Sequence, residues 1–357
     1  MSTLVRSASL TNFVEVAAEV GLDGRALMAE VGLPLRCLDA PDLKIPTRQV
    51  RRLLELAAER AHEPAFGLRM VESRRLSNLG PLGLLVRDEP TLRSALEALT
   101  RYIHLHNEAV VMSVEQVGNL VVVRVELDVQ GAATVHQAAE TVVGVTFRVL
   151  QVFMGAIWRP RLVCFSHRAP SSLAVHRRIF GDAVEFGHEF NGIVCNAADL
   201  DAPNPGADPV MARCTQRLLG QSLDAHARLT DQVRQQVILL LPRGLCRVEV
   251  VAQHLGIDRR TVARRLAAEQ TSFSALVDTL RRDLFARYLE DGARSLTEVS
   301  ALLGFSAPSA FSRWHRQQFG LAARQRRSTR AAVAGKDTAP RKPGPSSDAT
   351  VEVSGPP

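Results

Sequence analysis

Along the first hundred residues, apolar positions recur at intervals of three and four. Leu10, Phe13, Val16, Ala17 and Val20 share one helical face, and Gly21 ends the run. A second helix is predicted over 23–31, with Asp23 as its cap and Gly32 as its stop. Thr47 is expected to cap a third, whose inner face carries Val50, Leu53, Leu54 and Ala57, and Thr91 to start a fourth through Leu92, Leu96, Leu99 and Ile103. The period then shortens to two. Val110–Val117 and Leu120–Leu127 alternate on either side of Gly118-Asn119, which predicts a hairpin with a tight turn. A longer helix is expected over about 134–157, followed by short strands at 162–165, 184–186 and 193–195. The succession is α+β, with no β-α-β rhythm and no glycine-rich phosphate loop.

Pro203, Pro205 and Gly206 mark a break. Beyond it the pattern is helical to about Arg327, and 336–357 is rich in Pro, Ser, Gly and Thr without periodicity, as expected of a disordered tail. The expected organisation is an α+β domain over 1–205, a linker helix region over 206–229, an all-α domain over 230–327 and a tail over 328–357.

The helical segment contains an internal repeat. The stretch from Val251 through Leu255-Gly256-Ile257-Asp258 matches that from Val299 through Leu303-Gly304-Phe305-Ser306. Each has a small residue (Ala252, Ser300), two variable positions, Leu-Gly, an apolar residue and an N-cap. This is the physics of a helix-turn-helix. The small residue lets two helices approach, glycine takes the left-handed turn at low cost, and Asp258 or Ser306 caps the next helix. The first recognition helix should run from Arg259 to about Glu269. Val262 and Leu266 face inward there, and Arg259, Arg260, Ala263 and Arg264 outward. The second should run from Ala307 to Gln318, with Pro308 in its first turn and Phe311 inward. Ser309, Ser312 and Arg313 then face out, and Arg316 is a further candidate on that helix. Between the motifs, Phe273, Leu276, Val277, Leu280, Leu284 and Tyr288 form one stripe of a central helix joining them. Such a helix is roughly 25 Å long, the scale needed to set two helices into major-groove faces about 34 Å apart.

The charge is distributed to match. Of the net +7, residues 229–330 carry 17 arginines and no lysine against 9 carboxylates, a net +8, while 1–228 has 24 basic and 25 acidic residues. A concentrated basic surface is what phosphate neutralisation requires, and guanidinium forks suit guanine edges.

These residues resemble the AraC/XylS family of transcription regulators. The resemblance rests on Leu255 to Val262, Thr271-Ser272-Phe273-Ser274, Arg281-Arg282, Arg287-Tyr288-Leu289 and Leu303 to Arg313. It implies double-stranded DNA as partner, with base contacts from Arg260, Ala263, Arg264, Pro308, Ser309, Ser312 and Arg313. The N-terminal part is similar to the arabinose-binding-type domain of the same family, through Pro64 to Arg69, Leu79 to Gly83, Trp158-Arg159-Pro160, Phe180-Gly181 and Pro203 to Asp208. That implies a fused effector-sensing or dimerising domain, a homodimer, and RNA polymerase as a further partner if the chain activates. The chain departs from the family where His315 replaces an aromatic beside Trp314. It departs again where Ala322-Ala323-Arg324-Gln325-Arg326-Arg327 replaces the closing Ser-Pro segment; Arg324, Arg326 and Arg327 are there expected to add phosphate contacts.

Other chemistries find little support. Gly304 to Pro308 begins like a nucleophile elbow but lacks the final glycine and follows a helix. His104 and His106 diverge at helical spacing, and His167 and His188 read as polar loop residues. Cys37, Cys164, Cys195, Cys214 and Cys246 form no metal or disulfide pattern and are expected to be buried free thiols. No cofactor, metal or catalytic group is expected. The longest apolar run, 237–241, is far short of a membrane span, and no signal peptide opens the chain, so a cytoplasmic protein is expected. Two alternatives stay open for the N-terminal domain: a purely structural dimeriser without ligand, or an enzyme fused to the DNA-binding part.

Overall fold

The computed structural model describes residues 3–128, 135–224, 228–291, 294–321 and Ala323. Two compact units are distinguished, 1–308 and 309–357. The first opens with β1 (Leu4–Arg6), then α1 (Phe13–Glu19), α2 (Gly24–Glu30), β2 (Lys44–Pro46), α3 (Thr47–Ala61), α4 (Phe66–Val71), α5 (Pro81–Asp88) and α6 (Leu92–His106). Two predicted caps are present: Asp23 Oδ1 accepts from the backbone of Arg25 and Ala26, both at 3.0 Å, and Thr91 accepts from Ser94 N at 3.3 Å.

Thr47 is not a cap. Pro46 precedes the helix, and the Thr47 hydroxyl, inside the first turn, reaches across to Thr3 at 2.6 Å. The expected first helix is also divided: Leu10 closes a 3-10 turn, Ser7–Leu10, and α1 starts only after Asn12, whose φ is 63°. The short β1–β2 pair escaped the periodicity, because three residues are too few to show alternation.

The hairpin forms as predicted. β3 (Val110–Val117) and β4 (Leu120–Leu127) pair from Val110↔Leu127 to Val117↔Leu120. Val121, Val123, Val125 and Leu127 point inward from β4. Then come α7 (His136–Met154), β5 (Leu162–Phe165), α8 (Ala174–Phe180), β6 (Val184–Phe186) and β7 (Gly192–Asn196). Part of the helix predicted from 134, Thr134 itself, lies outside the described residues. The sheet runs β3-β4-β7-β5-β6. One expectation is corrected here: β5 and β6 pair in parallel with α8 between them, so a β-α-β unit is present. β5 and β6 are four and three residues long and α8 spans only seven, too short for any period to show in the sequence.

Helix α7 crosses the sheet and buries Val143, Phe147 and Leu150; Phe147 meets Phe180 edge-on with centroids 5.2 Å apart. The break at 203–206 is tied down, since the Asn204 side chain donates to Arg87 O and Glu89 O. Beyond it, α9 (Pro209–Asp224) returns against α5 and buries Ala212, Thr215 and Leu219. The rest of the unit is helical: α10 (Leu229–Leu240), α11 (Val248–His254), α12 (Arg259–Ala268), α13 (Phe273–Asp291) and α14 (Leu296–Leu302). The second unit contains most of α15 (Pro308–Phe319). The tail and Arg324, Arg326 and Arg327 lie outside the described residues.

Beside α7, the Glu55 carboxylate accepts from Gln137 N at 3.0 Å but is otherwise poorly solvated, and burial pushes it up from 4.5 to about 7. Below pH 4.5 the group is neutral folded and unfolded, and its burial carries no charge penalty. Between 4.5 and 7 only the unfolded chain ionises, so stability falls, and above 7 the full penalty, about 3 kcal/mol, applies. Glu55→Gln should therefore be more stable than the native chain at pH 8 and of equal stability at pH 4, measured by urea unfolding; an advantage as large at pH 4 would contradict this.

Candidate nucleic-acid interface

In the first motif α11 and α12 meet through Val251 and Ala252, both buried, against Val262 and Leu266. Gly256 turns between them at φ 64°. Asp258 then starts α12: its Oδ1 accepts from Thr261 N at 2.8 Å, and the Thr261 hydroxyl donates to Oδ2 at 2.7 Å. These bonds hold the Asp258 carboxyl below its ordinary value and keep it charged at the positive end of the helix dipole. With Val262 and Leu266 fully inward, Arg259, Arg260, Ala263 and Arg264 are all exposed on the outer side. Arg259 is engaged by Glu249 at 3.0 Å. Arg260 and Arg264 have no carboxylate partner among the described residues.

The second motif begins with Ser295, which accepts from Glu298 N while the Glu298 carboxylate accepts from Ser295 N at 2.6 Å, a reciprocal cap. Val299, Ser300 and Leu302 are buried on α14. Gly304, φ 71°, is seated against the end of α10, where a Cβ would lie 2.7 Å from Leu241 O. Arg281 of α13 secures the same turn, donating from Nε to Leu303 O at 3.0 Å and lying over the Phe305 ring at 4.1 Å.

Within α15, Phe311, Trp314 and His315 are buried, and Pro308, Ser309, Ser312, Arg313 and Arg316 are exposed. His315 fills the place of an aromatic: its ring lies 4.7 Å from that of Phe319, and Nδ1 is 2.9 Å from Leu321 O. The central helix α13 buries Leu276, Val277, Leu280, Leu284 and Tyr288 of the predicted stripe, with Phe285 in addition, while Phe273 at its start is only half-buried.

Periodicity did not anticipate the residues that fix the first motif to the N-terminal domain. Arg234 of α10 forks onto Asp128, just past β4, with Nε–Oδ2 2.5 Å and Nη2–Oδ1 2.6 Å, and reaches Asp283 of α13 at 3.3 Å. Arg243 pairs with Glu115 of β3 at 2.8 Å. Arg287 donates to Ser166 Oγ at 2.8 Å, and Arg294 to Ser166 O at 3.0 Å and to His188 O. The one available signal was an arginine next to Val233 on the apolar face of α10.

The expectation of buried thiols is corrected for two of the five cysteines: Cys214 is exposed and Cys246 half-buried. His167 and His176 both approach Glu140, at 3.3 and 2.9 Å, and His106 lies 3.4 Å from an Arg6 nitrogen. Among the described residues no three ligating side chains gather as a metal site, and no helix is long and apolar enough to cross a membrane.

The Asp258 cap, a left-handed glycine in each motif and an outward arginine ridge on α12 define a helix-turn-helix DNA-binding protein. Comparison with known proteins gives the family. Residues 21–204 match the arabinose-binding domain of AraC transcription regulators, and 251–329 match a helix-turn-helix domain. The chain is 30% identical over 331 residues to the transcriptional regulator VirS of Mycobacterium tuberculosis, covering 92% of this chain and 97% of that protein. It is 26% identical to the ornithine utilization regulator of Pseudomonas aeruginosa, covering 89% and 94%. The crystal structure of the regulator CdpR from Pseudomonas aeruginosa aligns with a TM-score of 0.43 at 20% identity, over 85% of this chain and 96% of that one. The chain belongs to the AraC family of transcription regulators.

The two turn glycines should respond differently to substitution. Gly256→Ala meets no atom within 4 Å and should cost only the left-handed strain, about 1 kcal/mol. Gly304→Ala adds the clash with Leu241 O and should cost about 2 kcal/mol more. Equal midpoint shifts in urea would show that the second turn is not held against α10.

Proposed function

We propose that the protein reads a specific operator through the outer faces of α12 and α15 and that a small molecule bound to the N-terminal domain controls it. Arg260 and Arg264 read base edges with Ala263 between them. Ser309, Ser312, Arg313 and Arg316 act from the second helix, with Pro308 in its first turn. Arg259 and other arginines position the duplex through its phosphates. The observation that carries the reading is the division of α12 into a buried face, Val262 and Leu266, and an exposed face whose Arg260 and Arg264 no carboxylate neutralises among the described residues. The domain limits follow the same reading: effector domain 1–205, connecting helix 206–229, DNA-binding domain 230–327. The protein acts in the cytoplasm, without catalysis, and engages RNA polymerase where it activates.

The reading includes a homodimer, supported by α9. Its inner face is covered by α5, yet Val210 is 59% exposed, Leu218 is 66% exposed, and Met211 and Cys214 are also exposed. Val210, Cys214 and Leu218 are spaced four apart, so they line one outer stripe. Apolar side chains aligned in this way fit a second copy of the same helix about a two-fold axis.

Two measurements test the proposal. With a site selected from random duplexes, Arg264→Ala should weaken binding by about 1–3 kcal/mol and relax preference at one base pair; an unchanged affinity and footprint refutes the base-reading role. In sedimentation, Leu218→Glu should shift the protein from dimer to monomer; a dimer that persists unchanged excludes α9 as the contact.

A further inference from the structure

A groove of about 320 Å³ lies on the N-terminal domain between the outer face of α7 and the 3-10 turn Leu76–Leu79. Its apolar wall includes Leu79 from the turn and Val145 and Val149 one helical turn apart on α7. Its polar wall is cationic: Arg74, Arg75 and Arg148 contribute to it, and no acidic residue does.

The arginines lack the partners such groups ordinarily have. Arg74 is only 9% exposed, and its guanidinium is tied to two neutral carbonyls, Ala8 O at 3.0 Å and Ser9 O. Its Nε is buried without an acceptor. Burial pushes Arg74 down to about 10. Arg148 likewise donates to neutral groups, Gln151 Oε1 and Glu72 O, both at 3.1 Å, and its Nε is also buried and unpaired. The neighbouring Glu72 carboxylate is taken by Arg178 at 2.6 Å. None of the three arginines has a carboxylate within ion-pair distance among the described residues. Buried cations held only by dipoles are costly unless a counter-charge arrives, and a guanidinium fork matches a planar or tetrahedral oxyanion.

We propose that this groove binds a small amphipathic anion, a carboxylate or phosphate headgroup on a short apolar body. The headgroup meets the guanidinium groups of Arg74 and Arg148, with Arg75 at the open rim, and the apolar body lies along Val145, Val149 and Leu79. The volume fits one small molecule. Identification of this molecule as the effector rests on the regulatory reading above.

The test titrates full-length protein with octanoate, octyl phosphate and octanol by calorimetry, and repeats DNA binding with each. Saturable binding of octanoate or octyl phosphate, at least tenfold tighter than octanol, is expected, and the tighter of the two identifies the headgroup. Arg148→Ala should weaken it at least tenfold, and Arg75→Ala, a change at an exposed residue, should weaken it several-fold with circular dichroism and ligand-free DNA affinity unchanged. Octanol binding as well as either anion, or both variants binding them like the native chain, overturns the proposal. A protein that binds DNA but neither anion overturns the groove alone. Saturable anion binding that leaves DNA affinity unchanged upholds the groove and refutes the molecule as effector. A chain that retains no duplex at low salt refutes the regulatory reading itself.

Discussion

The fork between Arg234 and Asp128 is the interaction on which the arrangement of the first DNA-binding motif depends. Both side chains are almost fully buried, and the guanidinium is shared with Asp283. Asp128 follows the last residue of β4, Arg234 sits on α10 and Asp283 on α13, so one cation ties the end of the hairpin to the two helices that carry the motif. Such a pair adds little net stability over an apolar replacement, but the loss of one partner strands a buried charge at a cost of about 3–5 kcal/mol. Its effect is therefore geometric. An apolar contact between α10 and β3 tolerates sliding, whereas a two-point fork fixes one register.

Further contacts surround the fork and share its chemistry. Arg243 to Glu115, Arg287 to Ser166 and Arg294 to Ser166 and His188 are all bonds from the helical segment to the sheet or its adjoining loops. Part of the arginine excess of residues 229–330 thus serves the fold rather than a nucleic acid. Arg281, over Phe305 and bound to Leu303 O, belongs to the same group. The arginines left on the outside of α12 stand out more clearly once these are subtracted, because Arg260 and Arg264 have no internal task among the described residues. In the N-terminal domain Arg74, Arg75 and Arg148 likewise have no carboxylate within ion-pair distance among the described residues, and they are the three arginines that line the groove beside α7.

Much of the molecule was legible from residue patterns. The hairpin followed from two alternating segments around a two-residue turn, and the helix-turn-helix elements from Ala252, Gly256 and Asp258 and from Ser300 and Gly304. Thr47 carries a residue type common at caps, yet its hydroxyl is claimed by Thr3, 44 positions away. β1 and β2 are too short to show a period, and the β5-α8-β6 unit is assembled from pieces each below the length at which periodicity speaks. Cysteine is a residue type common in cores, yet Cys214 is exposed because the inner face of α9 is supplied by Ala212, Thr215 and Leu219.

What the sequence determined by itself is local: helix starts, turn glycines, the alternation of the sheet, the two motifs and their outward arginines. These depend on backbone preferences and on neighbours within a few residues, which the order of amino acids contains directly. Only the tertiary structure decided which arginine faces which carboxylate, which guanidinium groups stay unanswered beside α7, and how the first motif is held on the sheet. Charge pairing depends on distances between residues more than a hundred positions apart, such as Asp128 and Arg234, and no local pattern encodes them.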